Sequence, residues 1–347
     1  MLHVKLTAST NLSFLKLFNV VRFPNFPCIG TWGQSGYCYA VQECLERGGT
    51  AYGACAYGFG VCCSLTASCG SVITFNGTYF SSPGFYSSSN LNASEESCAV
   101  QIMKQDKDIC QIRLDFEEFD LERPTVGNCE SERFIVTGQN ANSMVPEICG
   151  LNSGQHLYID IDMVPGPITL HVQTNGQRSS RWSMKITQIR CDDPSRAPQN
   201  CLQYYVGPSG NFSSFNYFES SLTPPRMGYM NNLDYTICFR KEAGFCSQTY
   251  SVPDDAPFVL ENVDADNAPT VAETEAGVGV VECSMDYVLL GAVRFCGTRL
   301  NPDVGPNNPD VNAPVTDTTT GPFVARVVSD GALNARGFLL SYSQNKC

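Results

Sequence analysis

Histidine is scarce in this sequence, with three in 347 residues, His3, His156 and His171. None lies in a His-Glu-x-x-His zinc motif or beside a Gly-x-Ser-x-Gly elbow. That removes the usual frames for metal-assisted and serine-dependent hydrolysis. There is no Cys-x-x-Cys pair to suggest zinc. No run of about eighteen apolar residues exists, so no membrane span is expected. Charged residues are only 16% of the chain and the net charge is −12. A nucleic-acid backbone needs a basic patch that these residues do not supply. Gly277-Val278-Gly279-Val280-Val281 runs into Glu282-Cys283 instead of opening a helix, which argues against a nucleotide site. The first twenty-one residues are interrupted by Lys5, a Thr/Ser/Asn stretch and Lys16. They lack the unbroken apolar region of a signal peptide, so a truncated start is expected.

Cysteine is abundant instead. Eighteen, an even number, imply disulfides and hence an oxidising, secretory compartment. With 29 glycines and 20 prolines, the composition suits a loop-rich β protein.

The stretch Ile109–Gly150 carries the clearest local pattern. From Gln111 to Glu117 apolar and polar residues alternate, placing Ile112, Leu114 and Phe116 on one face and Arg113, Asp115 and Glu117 on the other. That is a half-buried strand. Leu157, Ile159, Ile161 and Met163 alternate in the same way with Tyr158, Asp160 and Asp162. So do Trp182, Met184 and Ile186 with Ser183, Lys185 and Thr187. Two-faced strands of this kind belong to antiparallel sheets packed as a sandwich. The acidic run Asp115, Glu117, Glu118, Asp120 and Glu122 reads as a solvated face.

Phe119-Asp120-Leu121-Glu122, Cys129, the acidic Glu132, an apolar strand and Cys149-Gly150 together resemble the centre of a CUB domain. Cys69, Ser82-Pro83-Gly84-Phe85-Tyr86 and Cys98 fit the opening of that family. A second copy follows, since Cys283-x-x-Asp286 with Cys296-Gly297 matches Cys129-x-x-Glu132 with Cys149-Gly150. Trp182 lies nine residues before Cys191, as Phe338 does before Cys347, with Gln188 and Gln344 in register. The resemblance implies the pairs Cys69–Cys98, Cys129–Cys149, Cys201–Cys238 and Cys283–Cys296. It leaves Cys110 with Cys191 and Cys246 with Cys347, at matching places in the two copies. Near the start, Cys28, Cys38, Cys44, Cys55, Cys62 and Cys63 lie within thirty-six residues too poor in apolar surface for an independent core. Their order resembles a clip domain, which implies Cys28–Cys62, Cys38–Cys55 and Cys44–Cys63. Sequence alone allows fifteen pairings.

The expected architecture is all-β: tandem CUB-like jelly-roll β-sandwiches at residues 69–191 and 201–347, preceded by a small clip-like module at 28–63. Residues 1–27 form an N-terminal segment, and the Pro-bearing stretch 192–200 is a stiffened linker. Two insertions in the second copy, Pro253–Glu275 and Asn301–Thr320, are expected to be solvated loops. The resemblance further implies calcium, carried by Glu122, with Glu132 and Asn175 at altered positions, in the first copy. In the second it implies Asp286 and Asp330, with Glu261 the nearest counterpart of Glu122. Calcium takes six to eight oxygen ligands, and each copy departs from the full set. Sequons fall at Asn11, Asn76, Asn92 and Asn211, the last three within the sandwiches. No catalytic residue is expected. The functional expectation is a secreted recognition or adhesion protein that binds an extracellular protein or glycan through its loops. A non-catalytic regulator of a clip-type serine protease cascade and a structural matrix or cuticle component are the alternatives.

Overall fold

The computed structural model describes residues 21–347 except 32, 86–96, 141–143, 165, 177–179, 218–227, 254–255, 265, 267, 303–310 and 333. Asn11 and Asn92 therefore lie outside the described residues. The chain divides into two compact units, Met1–Ala67 with Phe75–Tyr79, and Ser68–Thr74 with Phe80–Cys347.

In the first unit, β1 (Pro27–Ile29) pairs with β2 (Ser35–Tyr39). A six-residue helix, α1 (Val41–Glu46), and β3 (Thr50–Cys55) follow, and β4 (Gly60–Ala67) pairs with both β2 and β3. Disulfides Cys28–Cys62, Cys38–Cys55 and Cys44–Cys63 tie these elements together. The apolar cluster beside them is small: Tyr39, Cys44, Cys63 and Leu65, with Tyr37, Val61 and Phe75 against it. Covalent bonds therefore take over much of what burial does in larger domains.

The second unit contains two β-sandwiches. The first is built from β5 (Val72–Ile73), the Phe80–Ser81 end of β6 (Thr78–Ser81), β7 (Ser97–Ile102), β8 (Ile109–Asp120), β9 (Arg133–Thr137), β10 (His156–Asp160), β11 (Ile168–Gln173) and β12 (Arg181–Arg190). One sheet runs β6-β12-β8-β10 and the other β5-β7-β11-β9. The alternation read in β8 places Ile112, Leu114 and Phe116 in the core at 0–1% exposure. Phe116 and Phe119 meet Phe134 of the facing sheet edge-on at 5.9 Å. Burying such side chains contributes about 1.5–3 kcal/mol each. Disulfides Cys69–Cys98, Cys110–Cys191 and Cys129–Cys149 brace the sandwich.

The second sandwich comprises β13 (Gln203–Tyr205), β14 (Ser209–Ser213), β15 (Asp234–Phe239), β16 (Phe245–Ser251), β17 (Ala276–Val278), β18 (Tyr287–Leu290), β19 (Val293–Gly297), β20 (Val315–Asp317), β21 (Phe323–Val328) and β22 (Leu339–Lys346). Its sheets run β13-β15-β21-β18-β19-β17 and β14-β22-β16-β20. Between them Phe212, Phe239, Tyr250 and Phe338 form an aromatic core. Cys201–Cys238, Cys246–Cys347 and Cys283–Cys296 close it.

Several expectations need correction. The expected insertions are not wholly solvated: Phe258 and Leu260 are 1% exposed, and Val315–Asp317 is a strand paired with β16. Phe258, Leu260 and Val315 are buried in the second sandwich. Met163, expected inside, is 82% exposed because β10 ends at Asp160. Ser183, expected on an outer face, is buried, and its Oγ accepts from Ser81 Oγ of β6 at 3.2 Å. Along β10 every residue is buried, Tyr158 and Asp160 included. Its polar face is covered by the second sandwich.

Candidate functional site

That covering is a seam rich in polar groups. Tyr158 N–H of β10 donates to Leu202 O at 2.8 Å. Two residues along, Tyr204 N–H donates to His156 Nε2 at 3.1 Å. Gln155 Nε2 donates to Ser214 O at 3.1 Å, and Gln203 Nε2 donates to Gln155 Oε1 at 3.0 Å. The linker docks on the same strand edge. Gln111 accepts from Ala197 N–H at 2.9 Å, while Asp160 accepts from Gln111 Nε2 at 2.8 Å and from Asn200 N–H at 3.3 Å. Tyr158, Ile189, Ala197, Cys201, Tyr204 and Cys238 supply the apolar part.

Two asparagines of the second sandwich complete the seam by entering turns of the first. Asn216, fully buried, accepts from Leu151 N–H at 2.9 Å and donates its own N–H to Asn152 Oδ1 at 2.7 Å. Asn231 donates N–H to Gly127 O at 2.8 Å and Nδ2 to Val126 O at 2.9 Å. Each amide faces a glycine in the left-handed region: Gly150 at φ +80° opposite Asn216, and Gly127 at φ +80° opposite Asn231. A Cβ at either glycine would collide with the asparagine Oδ1. Gln203 Oε1 and Asn231 Oδ1 are buried without partners, but the remaining bonds still favour one arrangement, because slippage would leave buried donors unpaired.

His156, one of the two strand histidines, is thus a seam residue. Burial first, and then the Arg113 guanidinium, push its pKa down to about 4, with Asp115 and Tyr204 opposing. The ring is neutral, and its Nε2 lies 3.1 Å from both the Tyr204 N–H nitrogen and the Tyr204 carbonyl oxygen. His171 is a strand-surface residue whose Nε2 lies 2.7 Å from Ser97 Oγ.

The expected calcium ligands fall in two places. In the second sandwich Asp286 is 1% exposed. Its Oδ2 accepts from Tyr229 Oη at 2.5 Å and its Oδ1 from Asp330 N–H at 2.7 Å. Burial pushes the Asp286 carboxyl up to about 7, although both hydrogen bonds favour the carboxylate, and Asp330 and Glu261 add repulsion. Burial and Asp286 together raise the Tyr229 phenol well above its ordinary value. Asp330 Oδ1 accepts from Ala332 N–H at 2.8 Å. In the first sandwich, Glu132 Oε2 accepts from Glu122 N–H at 2.6 Å and from Ser180 Oγ at 2.5 Å. Its Oε1 is buried without a hydrogen-bond partner. Among the described residues no three His, Cys, Asp or Glu side chains converge as they would on a metal ion. Tyr229 and Ser180 were missed in the sequence. A lone tyrosine or serine far along the chain from its carboxylate partner leaves no periodic trace.

Asn76 is exposed in the turn before β6, and Asn211 is exposed on β14, where its Oδ1 accepts from Ser341 Oγ at 2.8 Å.

Fold and site together define a disulfide-braced, all-β protein of the sandwich class. Residues 198–345 match the animal CUB domain model, so CUB character is established for the second sandwich. A CUB domain is a non-catalytic module for protein interaction in extracellular proteins. No curated protein matches the chain. Among solved structures it is similar to the CUB1-EGF-CUB2 domains of rat MASP-1, at 14% identity over 80% of this chain and 99% of that one, with a TM-score of 0.26. The CUB1-EGF-CUB2 domain of human MASP-1/3 gives 16% identity, 78% and 100% coverage and a TM-score of 0.26. The extracellular region of zebrafish Gpr126/Adgrg6 gives 10% identity, 79% and 36% coverage and a TM-score of 0.29.

Proposed function

We propose that this chain is a secreted, non-enzymatic recognition protein: a clip-like module at 28–63 and two CUB-like sandwiches at 69–191 and 201–347, binding an extracellular protein or glycan through their loops. The CUB match over the second sandwich carries the reading. The seam supports it. Loops held on a braced and mutually docked pair of sandwiches lose little freedom on binding, and pre-organisation of this kind favours affinity. N-linked glycans at Asn76, Asn92 and Asn211 belong to this reading, and Asn76 and Asn211 are exposed.

Calcium belongs to this proposal, held in the second sandwich by Asp286 and Asp330 and in the first by Glu122 beside Glu132. A buried carboxylate at Asp286 and an unpartnered Glu132 Oε1 are both unfavourable as they stand. A divalent cation would relieve each. When bound, it would order the loops that carry these residues.

The test uses the immobilised full chain, probed with arrays of recombinant ectodomains and extracellular glycans, beside peptidase and glycosidase assays of the same preparation. Saturable binding without turnover is expected. Catalytic hydrolysis of a peptide or glycoside, or no ligand on either array, would overturn the reading.

A further inference from the structure

The seam between the sandwiches contains a histidine, the side chain whose ordinary charge change falls between neutral and mildly acidic pH. His156 is 7% exposed. It sits on β10 of the first sandwich and faces β13 of the second, where its Nε2 touches both the N–H and the carbonyl of Tyr204. Its ring meets the Tyr205 ring at 4.9 Å and the Tyr158 ring at 5.6 Å. The charged groups facing it are on β8. The Arg113 guanidinium disfavours a second cation, and Asp115, which favours one, is already paired with Arg113 at 2.7 Å. Burial holds the phenols of Tyr158, Tyr204 and Tyr205 protonated, so none supplies a negative charge. A charged ring keeps the Tyr204 oxygen as acceptor only by abandoning the Tyr204 N–H, which then stays buried without a partner. Once the sandwiches part, water solvates both.

The rest of the architecture lets the seam open alone. Each sandwich has its own core and three disulfides, and none of these six bonds joins the two. The apolar part of the seam is small, and Gln203 Oε1 and Asn231 Oδ1 are buried without partners, which weakens docking. Tyr158, Asn216 and Asn231 each donate a backbone N–H across the seam, to Leu202 O, Asn152 Oδ1 and Gly127 O respectively.

We propose that the two sandwiches form an acid-sensitive joint, in which protonation of His156 parts them while each keeps its own fold and residues 192–200 remain as the tether. The joint operates whether or not the loops hold a ligand. Its size follows from linkage. The ring has a pKa of about 4 in the docked chain and regains its ordinary 6.5 when the seam opens. Docking is therefore at full strength above about pH 6.5 and weakens as pH falls toward 4. The undocking constant rises about tenfold per pH unit between those values, and about 30-fold from pH 7.5 to 5.0.

The test is site-resolved amide hydrogen exchange of the full chain from pH 7.5 to 5.0, corrected for the intrinsic pH dependence of exchange. Protection of the Tyr158, Asn216 and Asn231 amides should fall together by about 30-fold. Asn216 and Asn231 bond to turns and not to the ring, so a shared slope marks parting of the sandwiches and not fraying at the histidine. At every pH these amides should exchange at least about tenfold faster than those of Ile186 and Val327, in the middle of the two sandwiches. His156→Gln should flatten the slope, and His171→Gln, on the strand surface, should leave it unchanged. Protection that stays level in acid, a fall confined to Tyr158, seam amides no faster than Ile186 and Val327, or a slope that persists in His156→Gln would each overturn the proposal. If that variant does not fold, the wild-type slope and its sharing among the three amides decide the matter.

Discussion

Asp286 offers a direct test of the buried network in the second sandwich. The perturbation is Asp286→Asn, which keeps the shape, accepts from Asp330 N–H through its oxygen and turns its amide toward Tyr229 Oη. In the folded chain the carboxyl is pushed up to about 7, against an ordinary value of 3.8. The folded state therefore binds this proton more tightly than the unfolded state. Stability from this group is full below about pH 4, falls as pH rises, and is lost once the pH passes the folded value near 7. At about 1.4 kcal/mol per pKa unit, the loss between pH 4 and 8 is about 4 kcal/mol. His156 has the opposite slope over much of that window, so the wild-type profile alone would conceal both. The informative quantity is wild type minus Asp286→Asn, measured by urea unfolding in chelator from pH 4 to 8. The difference should move by several kcal/mol in favour of the variant as pH rises. Millimolar calcium at pH 8 should raise the wild-type midpoint and leave the variant's in place. A difference that stays flat with pH in chelator would refute the burial argument, and an unchanged wild-type midpoint would remove calcium from this site.

Other consequences can be measured separately. His156 has a folded pKa near 4, below its ordinary 6.5, so its contribution is full above about pH 6.5 and is lost as pH falls toward 4, about 3 kcal/mol in all. In His156→Gln, which can still accept the Tyr204 N–H, that part of the acid slope should vanish from pH-dependent unfolding curves. Gly150→Ala should cost about 2 kcal/mol or more, from left-handed strain plus the collision with Asn216. Its effect on amide exchange should be largest at Leu151 and Asn216. Replacing Cys246 and Cys347 by serine opens a span of 101 residues, against 13 for Cys283 and Cys296. Loop entropy makes the first change costlier by about 2 kcal/mol, a difference that paired unfolding curves would resolve.

How far the sequence spoke for the structure differs from element to element. β8 was legible because one of its faces is buried against its own sandwich, and a period of two records that directly. The cysteine positions were legible because the two copies repeat them, and the structure joins Cys110 to Cys191 and Cys246 to Cys347. β10 was misread for the opposite reason. Its polar residues Tyr158 and Asp160 are buried by residues some forty positions later, and nothing local to the strand signals that partner. Asn216 and Asn232 adopt positive φ, at 54° and 57°, which asparagine tolerates without announcing it in a pattern. In the region 253–275 the acidic composition outweighed Phe258 and Leu260, whose alternation marks a short buried stretch.

The measurement closest to the central claim is a disulfide map of the full chain purified from an oxidising secretory host. Two separately braced sandwiches and the small module before them require nine bridges, among them Cys110–Cys191 and Cys246–Cys347, with every bond confined to residues 28–63, 69–191 or 201–347. A free thiol at Cys110 or Cys191, or a peptide linking a cysteine of 69–191 to one of 201–347, would contradict it.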